Sequence, residues 1–428
     1  MKISRFVHVL NDTTVWHAME RKKIKLNKQL VDYIREQKGK INISEIPQKL
    51  VVEKLIVDEK EEKKYIDQLV AETTDKQFQS LYLITTTSCN LDCSYCFYRC
   101  SASNSLKNKK QMSFATAKKA IDKFYKIVDN NIKNQNYWQQ VTFYGGEPLL
   151  NEKMLKLAIP YAKTIFNDNF TSLVLNTNLT LLNDEIINLL KVNHVEVQVS
   201  LDGNKKQHDI NRKTIDGKGT YDIVISNIKK LIFKGIKVLP MITATDSNVH
   251  CLSDTLHFVV DELNIVDFAV NILITDSFAT NKDYPAILAK EMLKAYKSLE
   301  SKAADYDFVN LYNMLIGQNK FISQNNCGAT RKITVFPDGQ VCACQALEKL
   351  NINNMGTLDE DFLSNKNWAT WRYRNRFKNN TCLDCKVVAS CGGGCAAGSY
   401  NGTKSINGID YNICEYNKNL FNILIDGF

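Results

Sequence analysis

From Leu81 to about Thr275, apolar β-branched runs alternate with amphipathic helical patterns, and nothing else in the chain restricts its fold so tightly. The runs Leu81 to Thr87, Gln140 to Tyr144, Ser172 to Asn178, Glu196 to Leu201, Lys237 to Ala244 and Asp267 to Ile274 read as strands. Helical patterns lie between them, clearest over Ser113 to Val128 and Tyr221 to Lys234. Strands joined by crossover helices pair in parallel, so these six units predict an α/β fold built on a partial (β/α)6 TIM barrel. Such barrels gather their chemistry at the C-terminal ends of the strands, and every unusual motif of this stretch falls there.

The first strand leads into LYLITTTSCNLDCSYCFYRC, where Cys89, Cys93 and Cys96 follow at spacings of four and three, with Tyr95 just before the last. Three thiolates in one short loop can reach three corners of a single cubane iron-sulfur cluster and leave its fourth iron without a protein ligand. A zinc site completed from elsewhere, or buried thiols without ligands, are the plainer alternatives. Strand two ends in Phe143-Tyr144-Gly145-Gly146-Glu147-Pro148, strand three in Asn176-Thr177-Asn178, and strand four in Ser200-Leu201-Asp202-Gly203, followed by His208, Asp209 and Arg212. Paired glycines allow a backbone to approach a ligand closely, and a carboxylate suits an ammonium group.

On these residues the chain resembles the radical S-adenosylmethionine (SAM) superfamily. The resemblance implies that the open iron chelates the amino and carboxylate groups of the methionine moiety, and that electron transfer cleaves the sulfonium to a 5'-deoxyadenosyl radical. It implies cofactor contacts at Tyr95, Gly145, Gly146, Glu147, Asn178, Ser200, Asp202 and Arg212. The Gly145–Glu147 loop would hold the methionine amino group, Ser200 and Asp202 would meet ribose and carboxylate, and Arg212 an anionic group. Leu179 stands where related enzymes often carry glycine, so the turn is expected to differ. His208 and Asp209 read as capping or loop packing, and Cys100 and Cys251 as ordinary thiols.

Residues 277–320 read as a helical bridge, including a helix over Ala286 to Ala304. Beyond it come Cys327, the turn Phe336-Pro337-Asp338-Gly339, Cys342, Cys344, and then Cys382, Cys385, Cys391, Cys395 and Cys414. A zinc ribbon needs only four ligands and would leave much of this set unused. The spacing is similar to the SPASM extension of radical SAM enzymes, which implies two auxiliary [4Fe-4S] clusters and three clusters in all. By that resemblance Cys382, Cys385, Cys391 and Cys414 hold the distal cluster, and Cys327, Cys344 and Cys395 the one nearer the barrel. An eighth cysteine found in some members is missing; Phe321 and Ile322 occupy its neighbourhood. Either Cys342, on the same strand face as Cys344, completes the set, or one iron stays open to bind a substrate thiolate; the open site is the preferred reading.

The first 78 residues read as a small domain. Strand-like runs at Arg5 to Leu10, Thr13 to His17 and Lys22 to Leu26 precede helical patterns at Lys28 to Gln37, Ser44 to Leu55 and Glu61 to Ala71. This is a winged-helix-like pattern, and winged helices often bind DNA. Placed directly before a radical enzyme, it is similar instead to the leader-peptide recognition domain of ribosomal peptide (RiPP) maturases, where a precursor's leader adds a strand to a sheet edge. The expected organisation is 1–78 for that domain, 79–276 for the barrel, 277–320 for the bridge and 321–428 for the SPASM domain.

Thirteen cysteines are an odd number in a chain with no secretion signal and no apolar run long enough to cross a membrane. Ligation in the cytoplasm accounts for them better than disulfides do. The formal charge of +9 shrinks once thiols become cluster ligands, so a nucleic-acid partner is not expected. The expected partners are a precursor peptide and a reductant such as flavodoxin or ferredoxin. Taken whole, the resemblance implies a peptide maturase that abstracts a hydrogen atom and closes an intrapeptide thioether or carbon-carbon crosslink. One rival is an anaerobic sulfatase-maturating enzyme, but it is expected to carry an aspartate base where this chain has Gln345. Another is a non-catalytic iron-sulfur electron carrier or leader-binding scaffold. No side chain is identified as a catalytic acid or base.

Overall fold

A computed structural model describes residues 1–37, 39, 41–42, 46–74, 77–98, 109–132, 138–166, 171–274, 281–303 and 327–426. These residues form two compact units. One comprises the described parts of Met1–Thr74, Cys327, and the described part of Arg372–Phe428; the other comprises the described part of Asp75–Asp305 with Gly328–Trp371.

In the first unit, β1 (Lys2–Ile3) pairs antiparallel with β5 (Ile56–Val57), while β2 (Val7–Asn11), β3 (Thr14–His17) and β4 (Lys22–Lys25) form an antiparallel sheet in that order. Asn27 caps the helix Lys28–Glu36 by accepting from the Leu30 amide, which satisfies one of the donors a helix start leaves over. Val15, Ile24, Val31, Ile34, Leu50, Leu55 and Ile56 form the core beneath. Of the run expected as a helix over Ser44 to Leu55, Ser44 and Glu45 lie outside the described residues, and the described part is helical over Gln48–Val52. Pro47 sets its start, and Lys54 in the left-handed region turns the chain into β5, a two-residue strand too short to carry a period. Glu62 is buried because Ser4 Oγ, the Arg5 amide and Lys2 Nζ all reach its carboxylate.

The cysteine-rich tail belongs to this same unit. Trp16 stacks on Phe421 of the helix Tyr411–Asp426 at 5.1 Å between ring centroids and donates its indole N–H to the Lys386 carbonyl at 2.8 Å. Arg5 pairs with Asp384 at 2.8 Å, and Asn375 Nδ2 donates to Thr73 Oγ1 at 2.9 Å.

The second unit contains the expected parallel barrel sheet. β6 (Ser80–Ile84), β7 (Gln139–Tyr144), β8 (Thr171–Thr177), β9 (Glu196–Ser200), β10 (Val238–Ala244) and β11 (Ala269–Ile272) pair in sequence order, all parallel. Each falls within a residue or two of the expected run, apart from somewhat earlier ends for β6 and β11. Leu81, Leu83, Val141, Phe143, Val197 and Val199 are buried, alternating with more polar positions along their strands. Beyond β6 the sheet continues through β12 (Lys332–Val335), parallel to β6, and then antiparallel through β13 (Gln340–Cys342) and β14 (Asn354–Thr357). The region expected as one domain from residue 321 is therefore divided, its first hairpin joining the barrel sheet. The helix expected at Ala286 to Ala304 spans Tyr284–Leu299; residues 304–326, including Phe321 and Ile322, lie outside the described residues, as does Cys100. Cys251 closes a short 3-10 turn, Val249–Cys251, ahead of a helix. Among the described residues no helix is long and apolar enough to cross a membrane.

Candidate functional site: a cysteine loop at the barrel mouth

Parallel pairing in register brings the ends of β6 to β9 to one edge, so the loops after them meet there. The cysteine loop is laced to its surroundings on two sides. On one side Gly146 N donates to Thr86 O and Glu147 N to Ser88 O, both at 2.9 Å. A Cβ on Gly146 would lie 2.1 Å from Ser88 O, and one on Gly145, whose φ is +149°, would lie 2.5 Å from Thr86 O. The paired glycines are thus required by the backbone of the cysteine loop itself, whatever ligand they also meet. On the other side Asp92 N donates to Lys213 O, Ser94 N to Asn211 O, and Ser94 Oγ to Asn211 Oδ1.

Two expected cofactor contacts turn inward. The Glu147 carboxylate is fully buried and accepts from Thr177 Oγ1 at 2.6 Å, Asn178 N at 2.8 Å and Leu149 N at 3.0 Å, tying the end of β7 to the end of β8. Burial raises its pKa to about 7 against the pull of those three donors. In this structure the Glu147 carboxylate is engaged by the protein's own donors. Asp202 is also fully buried. It accepts from Arg212 Nε at 2.9 Å, Arg212 Nη2 at 3.1 Å, Thr243 N at 3.0 Å and Tyr95 OH at 2.5 Å. Those four donors occupy the acceptor positions of the carboxylate in this structure. Arg212 stacks over Tyr95 at 5.2 Å, and Asp202 beside it holds the guanidinium charged although burial alone would weaken it. Tyr95, Asp202 and Arg212 thus form a bracket under the cysteine loop. Ser200 stands half-buried at the end of β9.

Behind the bracket, His208 Nδ1 accepts from Asp202 N and its Nε2 shares a hydrogen bond with Thr220 Oγ1, while Asp209 Oδ1 accepts from the amides of Thr220 and Tyr221. Both residues pack and cap, as their sequence context implies. Asn178 does more than expected. Its Nδ2 points to Cys89 Sγ at 3.8 Å and to Asn90 Oδ1 at 3.0 Å. Leu91 N also donates to Cys89 Sγ, at 3.4 Å. Donors to a thiolate sulfur tune a cluster's electronics.

The donor set fits an iron-sulfur cluster. Burial pushes the Cys89 thiol up to about 12 and the Cys93 thiol up to about 11, each also raised by charge on its neighbouring cysteines. Thiols so placed carry charge cheaply only against a cation. Among the described residues no three His, Cys, Asp or Glu side chains converge on one point as ligands of a single metal ion. A cubane asks for thiols spread around a volume, because each binds a different iron.

In the first unit Cys382, Cys385, Cys391 and Cys414 form a second group, with burial and the charge of the other three raising Cys382 to about 12 and with Cys414 at about 11. Cys391 Sγ accepts from Gly393 N at 3.4 Å and from Asn417 Nδ2 at 3.9 Å. Cys395 precedes the helix Ala396–Thr403 and donates its amide to Asp410. Cys327 lies in the first unit and Cys344 in the second. Asn353 accepts from the amides of Ala343 and Cys344 and donates to the Cys344 carbonyl. Cys342 is fully buried with Ile84 and Phe336, and burial raises its thiol strongly. Gln345 accepts from Lys332 Nζ at 2.6 Å, and that ammonium lies over Tyr82 at 4.4 Å.

Residues 83–259 match the model of the Radical SAM superfamily. Over 366 residues the chain is 23% identical to the Radical SAM cyclopropyl synthase TigE of Paramaledivibacter caminithermalis, covering 82% of this chain and 75% of that protein. It is 26% identical over 337 residues to the cysteine-type anaerobic sulfatase-maturating enzyme of Clostridium perfringens, covering 72% of this chain and 86% of that one. Its fold is shared with the crystal structure of Streptococcus suis SuiB bound to precursor peptide SuiA, at a TM-score of 0.58 and 16% identity over 96% of this chain and 99% of that one.

Proposed function

Since the chain carries a Radical SAM domain and is an enzyme related to peptide and sulfatase maturases, we propose that it abstracts a hydrogen atom from a ribosomally made precursor peptide and closes a thioether or carbon-carbon crosslink within it. When bound, a [4Fe-4S] cluster and SAM supply the radical that such chemistry needs. Cys89, Cys93 and Cys96 are the residues to hold that cluster. The Tyr95–Asp202–Arg212 bracket fixes their loop, the Gly145–Glu147 backbone faces the methionine end of the cofactor, and Asn178 adjusts the cluster through the Cys89 sulfur.

Cys382, Cys385, Cys391 and Cys414 would hold a distal auxiliary cluster, and Cys327, Cys344 and Cys395 a second with one open iron. Cys342 we assign as a core thiol, given its fully buried place beside Ile84 and Phe336. The open iron is suited to a substrate thiolate, and the proposed reductant is a flavodoxin or ferredoxin.

The observation that carries this reading over a sulfatase-maturase reading is the N-terminal sheet. Its order leaves β2 and β4 as edge strands, with no further strand beside them among the described residues. An edge of this kind can take up an extended leader segment. The likeness to SuiB takes in 96% of the chain and so reaches into this sheet. Gln345 is a further point, because its carboxamide cannot accept a proton usefully near neutral pH.

The test is coexpression with candidate precursor peptides encoded nearby, read by mass spectrometry together with 5'-deoxyadenosine release from anaerobically reconstituted protein. Loss of two hydrogens from the peptide supports the crosslink. Conversion of a cysteine to formylglycine would replace it with the maturase reading. Cofactor left intact under strong reductant would end both.

A further inference from the structure

The barrel sheet has two unlike faces. Leu81, Leu83, Val141, Phe143, Val197 and Val199 make one of them apolar and fully buried, as suits the side that crossover helices cover. On the alternate positions, which form the inner face, Tyr82, Tyr144, Asn176, Gln198 and Ser200 are polar and half-buried. A closed barrel fills its lumen with layers of branched apolar side chains. Here the lining is polar, with Asn176 Nδ2 donating to Gln198 Oε1 at 3.1 Å, and suits an occupant that carries polar groups of its own.

Among the described strand residues, Lys332 is the one cation that register puts on this face. It pairs with Ser80, about 13 Å along the strand from Ile84, where the cysteine loop leaves the sheet. The chain returns to that same end through β13, so Gln345 meets Lys332: Nζ donates to Gln345 Oε1 at 2.6 Å and lies over the Tyr82 ring at 4.4 Å. An ammonium can only donate, so Gln345 must turn its oxygen to it and its own amide N–H groups away. Among the described residues no acceptor faces those N–H groups or the remaining ammonium hydrogens, and no carboxylate lies within ion-pair reach of Lys332. Glu196, the one carboxylate that register puts on the inner face, is paired with Lys237 at 3.5 Å. Lys332 and Gln345 thus form a donor-only pair on a half-buried surface, its positive charge met by a ring and a carboxamide but cancelled by neither.

We propose that Lys332 and Gln345 bind a carboxylate of the precursor peptide, an aspartate or glutamate side chain close in sequence to the residue that reacts. This rests on the peptide-maturase reading above and names the class of peptide it takes. A carboxylate accepts hydrogen bonds only and carries the charge the pair lacks, so it can take an ammonium N–H and an amide N–H together. An aspartate at position 345 would itself pair with Lys332 and cancel the ammonium; the glutamine orients Lys332 and leaves its charge for the substrate. Because the strand separates this pair from the cysteine loop, the carboxylate is held beside the reacting residue and takes no part in bond-making.

The experiment uses full-length protein reconstituted under anaerobic conditions and the precursor peptides encoded nearby, with modification rates read by mass spectrometry. In the peptide, each acidic residue near the modified position is changed to its amide, Asp to Asn or Glu to Gln; in the protein, Lys332→Met removes the charge and Lys332→Arg keeps it. One peptide change is expected to slow modification about tenfold or more with the unaltered protein. Lys332→Met is expected to slow the parent peptide as much, and to show no further loss with the amide peptide, since both remove one contact. Lys332→Arg should stay near the parent, and 5'-deoxyadenosine release without peptide should be the same in all three proteins. Losses that multiply, or a Lys332→Met protein as fast as the parent, would overturn the proposal. So would a modified peptide without a carboxylate near its modified residue, or amide peptides that all react at the parent rate; these two results need no protein variant and hold even if Lys332→Met does not fold. If the unaltered protein modifies no peptide, the maturase reading itself fails, a result distinct from peptides modified without regard to their carboxylates.

Discussion

Replacing Gly146 with alanine tests what the paired glycines are for. The new Cβ would lie 2.1 Å from Ser88 O, 2.5 Å from Ser88 C and 3.1 Å from Cys89 N, all backbone atoms that cannot swing aside. The cysteine loop must move, and with it goes the Glu147 N to Ser88 O hydrogen bond of 2.9 Å. Overpacking of this sort costs about 1 to 3 kcal/mol, and losing a buried hydrogen bond adds roughly 1 kcal/mol, so a loss of about 3 kcal/mol is expected. Gly235→Ala is the control: its φ is +73° but nothing lies within 4 Å of the new Cβ, so only backbone strain of about 1 kcal/mol applies. The assay is urea unfolding of the apoprotein together with iron analysis after anaerobic reconstitution. Gly146→Ala is expected to lose roughly one cubane's worth of iron while Gly235→Ala keeps it. A Gly146→Ala protein with full iron and parental stability that only fails to bind SAM would refute the reasoning, because the glycine would then serve the cofactor alone.

Arg212→Met leaves the fully buried Asp202 with only Tyr95 and Thr243 as donors, and breaking such a pair is expected to cost about 3 to 5 kcal/mol in urea unfolding. A loss below about 1 kcal/mol would mean that the bracket carries little of the unit's stability. His208 has its pKa lowered from 6.5 to about 4, by burial first and by the Arg212 charge second. The unfolded chain therefore binds the extra proton first, so this contribution is fully present above about pH 6.5 and is lost as pH falls toward 4, a change of up to about 3 kcal/mol. His208→Gln should flatten the fall in stability between pH 7 and pH 5, and an unchanged slope would exclude His208 as its source.

The parallel sheet was legible because each of its strands carries its own signal: a β-branched run, bounded by turns, with a helical period on either side. The pairings that escaped lack such a signal. β1 and β5 have two residues each, and β12 finds its place through Lys332 against Ser80, a partner far away in sequence that no local pattern announces. Leu179 shows a different limit. It was expected to alter the turn because it replaces a glycine, yet it takes φ +59°, the region glycine favours. The fully buried leucyl side chain, with the Leu179 carbonyl held by Asn227 Nδ2, offsets a left-handed strain of roughly 1 to 2 kcal/mol.

Cysteines at cluster spacing identify themselves, because few other roles need that residue at that interval. Carboxylates do not. Asp202 and Glu147 sit in their motifs whatever they meet, and the donors that surround them inside the protein are set by residues distant in sequence. The sequence did hold a hint in Arg212, a cation placed to pair with Asp202 when the helix between them folds back. At the barrel-mouth cysteine loop Arg212 and Asp202, which both act on Cys93, belong to a fixed bracket. A centre that must take up and release an electron with little rearrangement needs surroundings already polarised and held in place, and the buried Asp202–Arg212 pair supplies that rigidity.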